Sequence, residues 1–215
     1  MNRPKITKCH LAHPIISLIG LFFLTLPTFG QSFEEDVADF RKTYKQEFLD
    51  NPNAPLKVED LKFLDFFEPD EKYKVKCKFK LKGRGEPFEI PTSSGDSKTY
   101  VVFGQFIFKI NGKKQKLNVY RSLALMKNPL YKDYLFIPFK DLTNGSETYG
   151  GGRYLDLRMK ELEGDEIWLD FNKAYNPYCA FSAGYSCPIP PVENHLKVTI
   201  RAGEKNYLGE YKGVH

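Results

Sequence analysis

Two stretches of the chain hold most of the side chains that could do chemistry, residues 141–156 and residues 172–194. In the first stretch, carboxylate, amide, phenol and guanidinium groups surround three successive glycines at positions 150 to 152. Glycine lets the backbone adopt positive φ and approach a ligand or another chain segment closely. The candidate ligand-binding residues of this stretch are Asp141, Asn144, Glu147, Tyr149, Arg153, Tyr154 and Asp156.

The second stretch combines amides with aromatic rings. Its candidate ligand-binding residues are Asn172, Asn176, Tyr178, Glu193 and Asn194. Tyrosines beside amide and acidic side chains are typical of a site for a sugar or another polar ring, where rings stack and amides fix orientation. The same composition is typical of a well-packed loop, so a binding role and a structural role are both open.

Structural alternatives also apply to the first stretch. Asp141 and Asn144 could cap backbone amides, and Arg153 could pair with a carboxylate. The three glycines lack the Lys-Ser/Thr pair and the following helix of a phosphate loop. Oxygen ligands such as Asp141, Glu147 and Asp156 suit calcium, but their spacing matches no calcium loop, and His and Cys are too few for a usual zinc or copper site. We therefore predict no metal site, and the cofactor is unknown.

The first thirty residues predict a cleavable signal peptide. Three basic residues at positions 3, 5 and 8 precede an uncharged apolar run from Ile15 to Phe29, and Gly30 ends a small-residue site. A retained anchor is the alternative, but the run contains Gly20 and Pro27 and is shorter than the ~20 apolar residues of a spanning helix. We expect an exported protein, periplasmic or secreted, that starts near Gln31 and has no stable membrane span.

Charge and cysteine content follow from this expectation. Residues 1 to 30 carry three positive charges and no negative ones, so their removal lowers the formal net charge from +5 to +2. This near balance argues against a nucleic-acid partner. Export permits a disulfide, and Cys179 and Cys187 bracket a short loop, so we expect them to pair. The alternative makes Cys179 a nucleophile with His195 as its base.

The elements that must position these residues begin with a helix. Ser32 and Glu35 form a capping-box pattern, and apolar residues then recur at three- and four-residue steps through residue 48. Residues 31–56 are therefore predicted to be an amphipathic helix and linker, with Phe33, Phe40 and Tyr44 packed on a sheet. Residues 57–215 are predicted to be a single β-rich domain.

Alternation with period two dominates after residue 70. Between residues 73 and 81 an apolar face that includes Cys77 and ends at Leu81 opposes a lysine face, which predicts a half-buried strand. Asn111-Gly112 predicts a hairpin in which Ile110 faces Lys113. Further strands are predicted at residues 134–139, 153–157, 167–171 and 196–201. The fold class is mainly β with an N-terminal helix (α+β), as an antiparallel β sandwich or open barrel.

Several runs of the chain resemble the bacterial and archaeal family known as domain of unknown function 1684. The resemblance covers most of the chain after about residue 33 and brings no established activity, substrate or cofactor. The runs that carry it are Tyr134–Phe139, Asp141–Asn144, Glu147–Asp156, Asp170–Cys179 and Cys187–Asn194.

These observations leave three functions open. The first is an exported domain that binds a small polar or carbohydrate-like ligand, small molecule or glycan, at a site built from residues 141–156 and 172–194. The second is a structural or interaction module of the cell envelope without ligand chemistry, and the third is a hydrolase that uses the same loops. Each stretch is long and rich in groups that need partners, so we expect the two to lie side by side.

Overall fold

The N-terminal helix of the predicted pattern is present. A computed structural model describes residues 31–83 and 85–213, so the predicted signal peptide lies outside the described residues. Helix α1 spans Phe33–Asp50. Its capping box is complete: the Glu35 amide donates to the Ser32 hydroxyl at 3.2 Å, and the Ser32 amide donates to the Glu35 carboxylate at 2.9 Å. The helix ends at Asp50, and its C-cap residue Asn51 has an extended backbone and precedes Pro52.

Seven strands form one sheet, which confirms the predicted antiparallel β architecture with an N-terminal helix. The sheet is an open half-barrel with the strand order β6-β5-β4-β3-β1-β7, and β2 pairs with β3. Its strands are β1 Lys74–Leu81, β2 Phe88–Pro91, β3 Ser97–Ile110, β4 Lys113–Ser122, β5 Tyr134–Phe139, β6 Arg153–Arg158 and β7 Ile167–Asp170. Strand β2 has no counterpart among the predicted strands.

The β3–β4 hairpin has the predicted turn and register. Asn111 and Gly112 have φ of 49° and 73°, and these positive values belong to the two-residue turn that matches the twist of paired strands. Ile110 lies opposite Lys113, and Phe106 lies opposite Leu117.

The two faces of the sheet bury different clusters. One face carries the main aliphatic core, which includes Phe106, Leu117 and Ile137. Cys77 belongs to this core as predicted, and its burial raises the pKa of the thiol to about 12. Leu81, predicted on the same face, is instead 64% exposed. The opposite face carries an aromatic cluster, composed of Ile90, Tyr100, Tyr120, Phe136 and Tyr154.

The helix packs mainly on irregular segments, which corrects the prediction that Phe33 and Phe40 cover the sheet. Those two residues are only half-buried. The helix buries Val37, Tyr44 and Phe48. Tyr44 and Phe48 share a cluster with residues from the segments that follow the helix and β7, namely Ala54, Leu56, Leu64 and Phe181.

Residues 196–201 alternate like a strand but are not one, and the prediction of a strand there was wrong. The segment runs parallel to the chain after β5: the Leu196 amide donates to the Lys140 carbonyl at 2.7 Å, and the Leu142 amide donates to the Val198 carbonyl at 3.0 Å. Beyond this point the Ile200 amide bonds to a side chain instead of a backbone carbonyl. Side chains thus replace the ladder that a strand would need.

Candidate functional site

A buried ion pair links the first candidate stretch to the C-terminal segment. Arg153 and Asp141 are buried, with Arg153 Nη2 3.3 Å from Asp141 Oδ1. Arg153 also donates to the carbonyls of Ile200 at 2.9 Å, of Glu204 at 3.2 Å and of Ala202. Burial lowers the pKa of Arg153, and Asp141 opposes that shift. The pair therefore holds the C-terminal segment in place of strand pairing.

Two other candidates of this stretch are bonded within it or to a neighbouring segment. The Asn144 amide accepts from the Asp141 backbone N–H at 2.6 Å and donates to the Tyr149 carbonyl at 2.7 Å. Glu147 pairs with Arg201 at 2.8 Å on the surface, and this pairing lowers the pKa of Glu147.

The glycines of the stretch serve chain packing. A side chain on Gly151 would meet the ring of Tyr149, and Gly152, at φ 98°, would place a Cβ atom 2.7 Å from the Phe139 carbonyl. Tyr149 itself is half-buried. Close approach of chain segments therefore accounts for these two glycines without a ligand.

Two buried asparagine side chains each bond to the backbone N–H and C=O of one residue, as a neighbouring strand would. Asn194 accepts from the Asn118 amide at 2.7 Å and donates to the Asn118 and Pro138 carbonyls at 2.9 and 2.8 Å. It thereby joins β4 to β5, which are otherwise registered only at Tyr120 and Phe136. Asn172 bonds both the amide and the carbonyl of Asp70 at 3.0 Å.

Asp156 has a different environment. It lies on β6 directly opposite Phe136, and its side chain is open to solvent. The Tyr134 hydroxyl donates to one carboxylate oxygen at 2.6 Å and the Tyr175 hydroxyl donates to the other at 2.7 Å. Desolvation by the surrounding protein raises the pKa of Asp156 to about 6, and the two tyrosine hydrogen bonds act in the opposite direction. Asp156 is therefore a solvent-exposed carboxylate held by two tyrosine hydroxyls, and we call the surface formed by Asp156, Tyr134 and Tyr175 the recess.

Aromatic rings surround this carboxylate. Tyr154 lies two residues before Asp156 and so on the same side of β6. Its ring is 4.7 Å from that of Phe136 and 5.9 Å from that of Tyr175, edge to face in both cases. Tyr100 stacks on Phe136 at 5.8 Å, and burial raises the pKa of Tyr100 to about 12. Tyr100, Phe136 and Tyr154 are buried, so the half-buried rings of Tyr134 and Tyr175 are the aromatic surface beside the carboxylate.

A cavity of about 380 Å³ adjoins this recess, shares Tyr175 with it and is also lined by Tyr154. Polar groups at its rim are already oriented: the Lys98 ammonium donates to the Ser186 carbonyl at 2.5 Å, and the Tyr185 hydroxyl donates to the Asn53 carbonyl at 2.7 Å. Its other lining residues are Asn176, Pro177, Tyr178, Cys187 and Pro188.

The buried carboxyl group of Glu204 bonds to Asn176, a residue that lines the cavity. The Glu204 carboxylate is fully buried. Its Oε2 atom accepts from the Asn176 backbone amide at 2.8 Å and from the Tyr44 hydroxyl at 2.9 Å. Burial raises the pKa of Glu204 to about 8. The Asn176 side chain donates to the Lys205 carbonyl at 2.8 Å. Glu204 thus ties the helix to the wall of the cavity.

The structure therefore divides the predicted site residues into two groups. Tyr154, Asp156, Asn176 and Tyr178 lie around the recess and cavity, while Glu193 is exposed. The others form internal bonds or a surface ion pair, namely Asp141, Asn144, Glu147, Arg153, Asn172 and Asn194, with Tyr149 packed on Gly151. Tyr134 and Glu204 were missed, because a strand-face tyrosine and a lone C-terminal glutamate carry no local signal.

The two candidate stretches lie side by side, as predicted. Tyr154 and Tyr175 exchange backbone hydrogen bonds at 2.9 and 3.1 Å, and the Tyr154 hydroxyl donates to the Pro188 carbonyl at 2.5 Å. The sulfurs of Cys179 and Cys187 are joined, with Cα atoms 6.3 Å apart. His195, the base of the nucleophile alternative, instead places Nε2 3.0 Å from the Pro190 carbonyl oxygen.

Residues 31–83 and 85–213 contain no cluster of metal ligands and no helix that could span a membrane. Within these ranges no three His, Cys, Asp or Glu side chains are grouped to hold a metal ion. The oxygen ligands considered for calcium are Asp141, Asn144, Glu147 and Asp156, and each of them bonds to other protein groups. In the same ranges no helix has both the length and the apolar character needed to cross a membrane.

Comparison with known proteins gives the class of this fold and its family. Residues 59–205 match the family described as Protein of unknown function (DUF1684), and the chain belongs to that family. The chain is 31% identical to an uncharacterised protein of Haloarcula marismortui whose structure was determined by solution NMR. That similarity covers 80% of this chain and 97% of the other, with a TM-score of 0.59. No curated protein matches.

Proposed function

We propose that the protein binds a small polar ligand, of the size and chemistry of a sugar unit or a similar ring, in the recess around Asp156 and the adjoining cavity. One observation carries this proposal: a solvent-accessible carboxylate is held between two tyrosine hydroxyls on an aromatic face of the sheet. The structural carboxylate of Asp141 is buried, and both of its oxygens accept hydrogen bonds from other protein groups. The Asp156 carboxylate is instead exposed to solvent.

The aromatic rings supply the second part of a binding site. Ring faces bury the apolar surface of a cyclic ligand, and a few fixed polar groups set its orientation. Asp156 beside the cavity and the Tyr178 hydroxyl in its lining are such groups, and a cavity of about 380 Å³ is in the size range of small-molecule sites.

The expected location of the binding protein is outside the cytoplasm. The support is the basic, apolar and small-residue pattern of residues 1–30, which is that of a secretory signal. Sequencing the N-terminus of the protein recovered from an expressing bacterium tests this part. Recovery from the periplasm or medium with Gln31 at the N-terminus supports export, and a cytoplasmic protein that retains residues 1–30 contradicts it.

A ligand screen tests the binding function. Sugars, amines, nucleotides and metal salts are added singly, and the melting temperature and amide chemical shifts are recorded. A ligand of this site should raise the melting temperature and shift resonances of Asp156, Tyr175 and Tyr178 in the wild type. The Glu147→Gln variant, altered at a surface ion pair, should bind equally well. A complete absence of ligands would favour the envelope structural module, which the internally bonded Asp141, Arg153 and Asn194 support.

Hydrolysis is a second candidate function, and the pKa of Asp156 favours it. A carboxyl with a pKa of about 6 can exchange a proton near neutral pH, as a general acid must. Any sugar conjugate found to bind is therefore also assayed for turnover. Turnover that is lost in Asp156→Asn while binding persists would establish catalysis, and binding without turnover would exclude it for that ligand.

A further inference from the structure

We infer that the site selects ligands that carry an organic ammonium group, which lies against Asp156 with its carbon substituents on the surrounding aromatic rings. This inference rests on the proposed binding function and names its ligand class. It starts from a charge imbalance: none of the ion pairs formed among the described residues includes Asp156.

The cations nearest to the recess are paired with groups other than Asp156. Arg158 lies 5.8 Å from the centre of the Tyr134 ring, but it pairs with Asp133 at 2.8 Å and donates to the Leu130 carbonyl at 2.8 Å. Lys98, at the rim of the cavity, donates to the Ser186 carbonyl. A ligand is therefore the cation that would complete the pairing of Asp156.

The carboxylate retains room for that cation. A carboxylate has about four lone-pair sites, and the hydroxyls of Tyr134 and Tyr175 occupy one on each oxygen. The rest of the side chain is open to solvent.

The rings attract the same charge. The faces of aromatic rings are negative and attract a cation placed above them. Tyr134 and Tyr175, whose hydroxyls hold Asp156, are half-buried, so parts of their rings lie at the surface beside the carboxylate, whereas Phe136 and Tyr154 are buried beneath them. A trialkylated ammonium fits this arrangement better than a hydrated metal ion, because its carbon groups contact ring faces directly.

The helix contributes a further negative charge. Desolvation is the main cause of the raised pKa of Asp156, and Glu47 on α1 adds to the rise. Arg158 on β6 lowers the pKa of Asp156. The charge of Asp156 in turn raises the pKa of four tyrosines, namely Tyr100 on β3, Tyr134 on β5, Tyr154 on β6 and Tyr175 after β7.

Proton linkage separates a cationic ligand from a neutral one. A cation binds best to ionised Asp156, so its affinity falls as the pH drops through about 6, where the carboxylate gains a proton. A neutral sugar lacks this competition. Within this pH range the tyrosines of the recess keep their protons, because burial raises their pKa values.

The experiment compares choline with its uncharged isostere, in which carbon replaces nitrogen, and with glucose, on the purified protein by NMR titration. Choline should bind at least about threefold more tightly than the isostere, because only choline carries a charge that Asp156 and the tyrosine rings attract at this exposed site. Asp156→Asn should remove the preference at an unchanged melting temperature, and Glu147→Gln should retain it. In the wild type, the choline affinity should weaken below about pH 6.

Three results would overturn the inference. Equal binding of choline and the isostere, or a choline affinity that does not change between about pH 5 and about pH 8, would show that charge is not selected. Binding of glucose without choline would refute the ammonium ligand and leave the proposed binding function intact. Binding of none of the three probes, nor of any compound in the wider ligand screen, would refute both. The pH series needs no variant, so a misfolded Asp156→Asn protein does not obscure the outcome.

Discussion

Asn194 lies beside Asn118 as a strand residue would, with its side-chain amide accepting from the Asn118 N–H at 2.7 Å and donating to the Asn118 carbonyl at 2.9 Å. A third bond, to the Pro138 carbonyl, carries the connection to β5. β4 and β5 are registered only at Tyr120 and Phe136, so a side chain joins the two strands where backbone pairing is missing.

Replacement of this amide should therefore destabilise the sheet. Asn194→Ala leaves the Asn118 N–H and two carbonyls without partners in a buried position, and each unsatisfied group costs about 1–3 kcal/mol. We expect the free energy of unfolding to fall by about 3 kcal/mol or more in urea denaturation. Glu193→Ala, at the exposed neighbouring position, should change it by less than about 0.5 kcal/mol. Equal losses in the two variants would contradict the structural role of Asn194.

The buried ion pair gives a second prediction. Arg153→Met leaves Asp141 as an unpaired buried charge and removes the donor to three carbonyls, so the free energy of unfolding should fall by about 3–5 kcal/mol. The matched control is Arg201→Met, which breaks the surface pair with Glu147 and should cost less than about 1 kcal/mol. Chemical denaturation of both variants measures the difference. A loss at Arg153 as small as at Arg201 would show that the buried network contributes little.

How far the sequence predicted this molecule depends on the range of each signal. The capping box of Ser32 and Glu35 and the Asn111-Gly112 turn act within a few residues, so they predicted the helix start and the hairpin register. The alternation of residues 196–201 was misleading, because a strand and a side-chain-bonded extended segment bury the same apolar face. The Ile200 amide donates to the Asp141 carboxylate at 2.6 Å, and only the tertiary fold brings these two residues, which are distant in the sequence, together.

The candidate site shows the same limit. Asp156 and Tyr154 were found because they belong to a stretch rich in polar groups. Their partner Tyr134 was not predicted, because a tyrosine on a predicted strand is normally interpreted as a residue that packs in the core. Tyr175, in the short segment after β7, lies beside Tyr154 because the two residues exchange backbone hydrogen bonds. They are 21 positions apart in the sequence, so no local spacing pattern predicts this contact.

Stability should depend on pH through Glu204. Its pKa is raised to about 8 by burial, above that of an unfolded glutamate, so the folded state holds a proton that the unfolded state has lost. The contribution of Glu204 is therefore fully present below about pH 4 and is lost as the pH rises through about 8. Urea unfolding at about pH 5 and about pH 9 should show a decline in the wild type that is smaller in Glu204→Gln. The same decline in both proteins would assign it to other groups.

The disulfide is tested by peptide mapping without reductant. We expect one linked pair of peptides that contains Cys179 and Cys187, and a Cys77 thiol that reacts only after unfolding because it is buried. Reduction should lower the free energy of unfolding by about 2–3 kcal/mol for a loop this short. Cys179→Ala/Cys187→Ala should be equally destabilised and insensitive to reductant. A Cys77 cross-link, or free thiols at positions 179 and 187, would contradict the pairing.

The last prediction concerns the carboxyl of Asp156 itself. Hydrogen bonds from Tyr134 and Tyr175 stabilise its ionised form and so lower its pKa, against the desolvation that raises it to about 6. Tyr134→Phe removes one of these bonds and keeps the ring, so the pKa of Asp156 should move further up, and Tyr175→Phe should have the same effect. Tyr211→Phe, at an exposed ring, should leave it unchanged. Carbon-detected NMR titration of the carboxyl measures each value, and a pKa that falls in Tyr134→Phe would show that this hydroxyl does not stabilise the carboxylate.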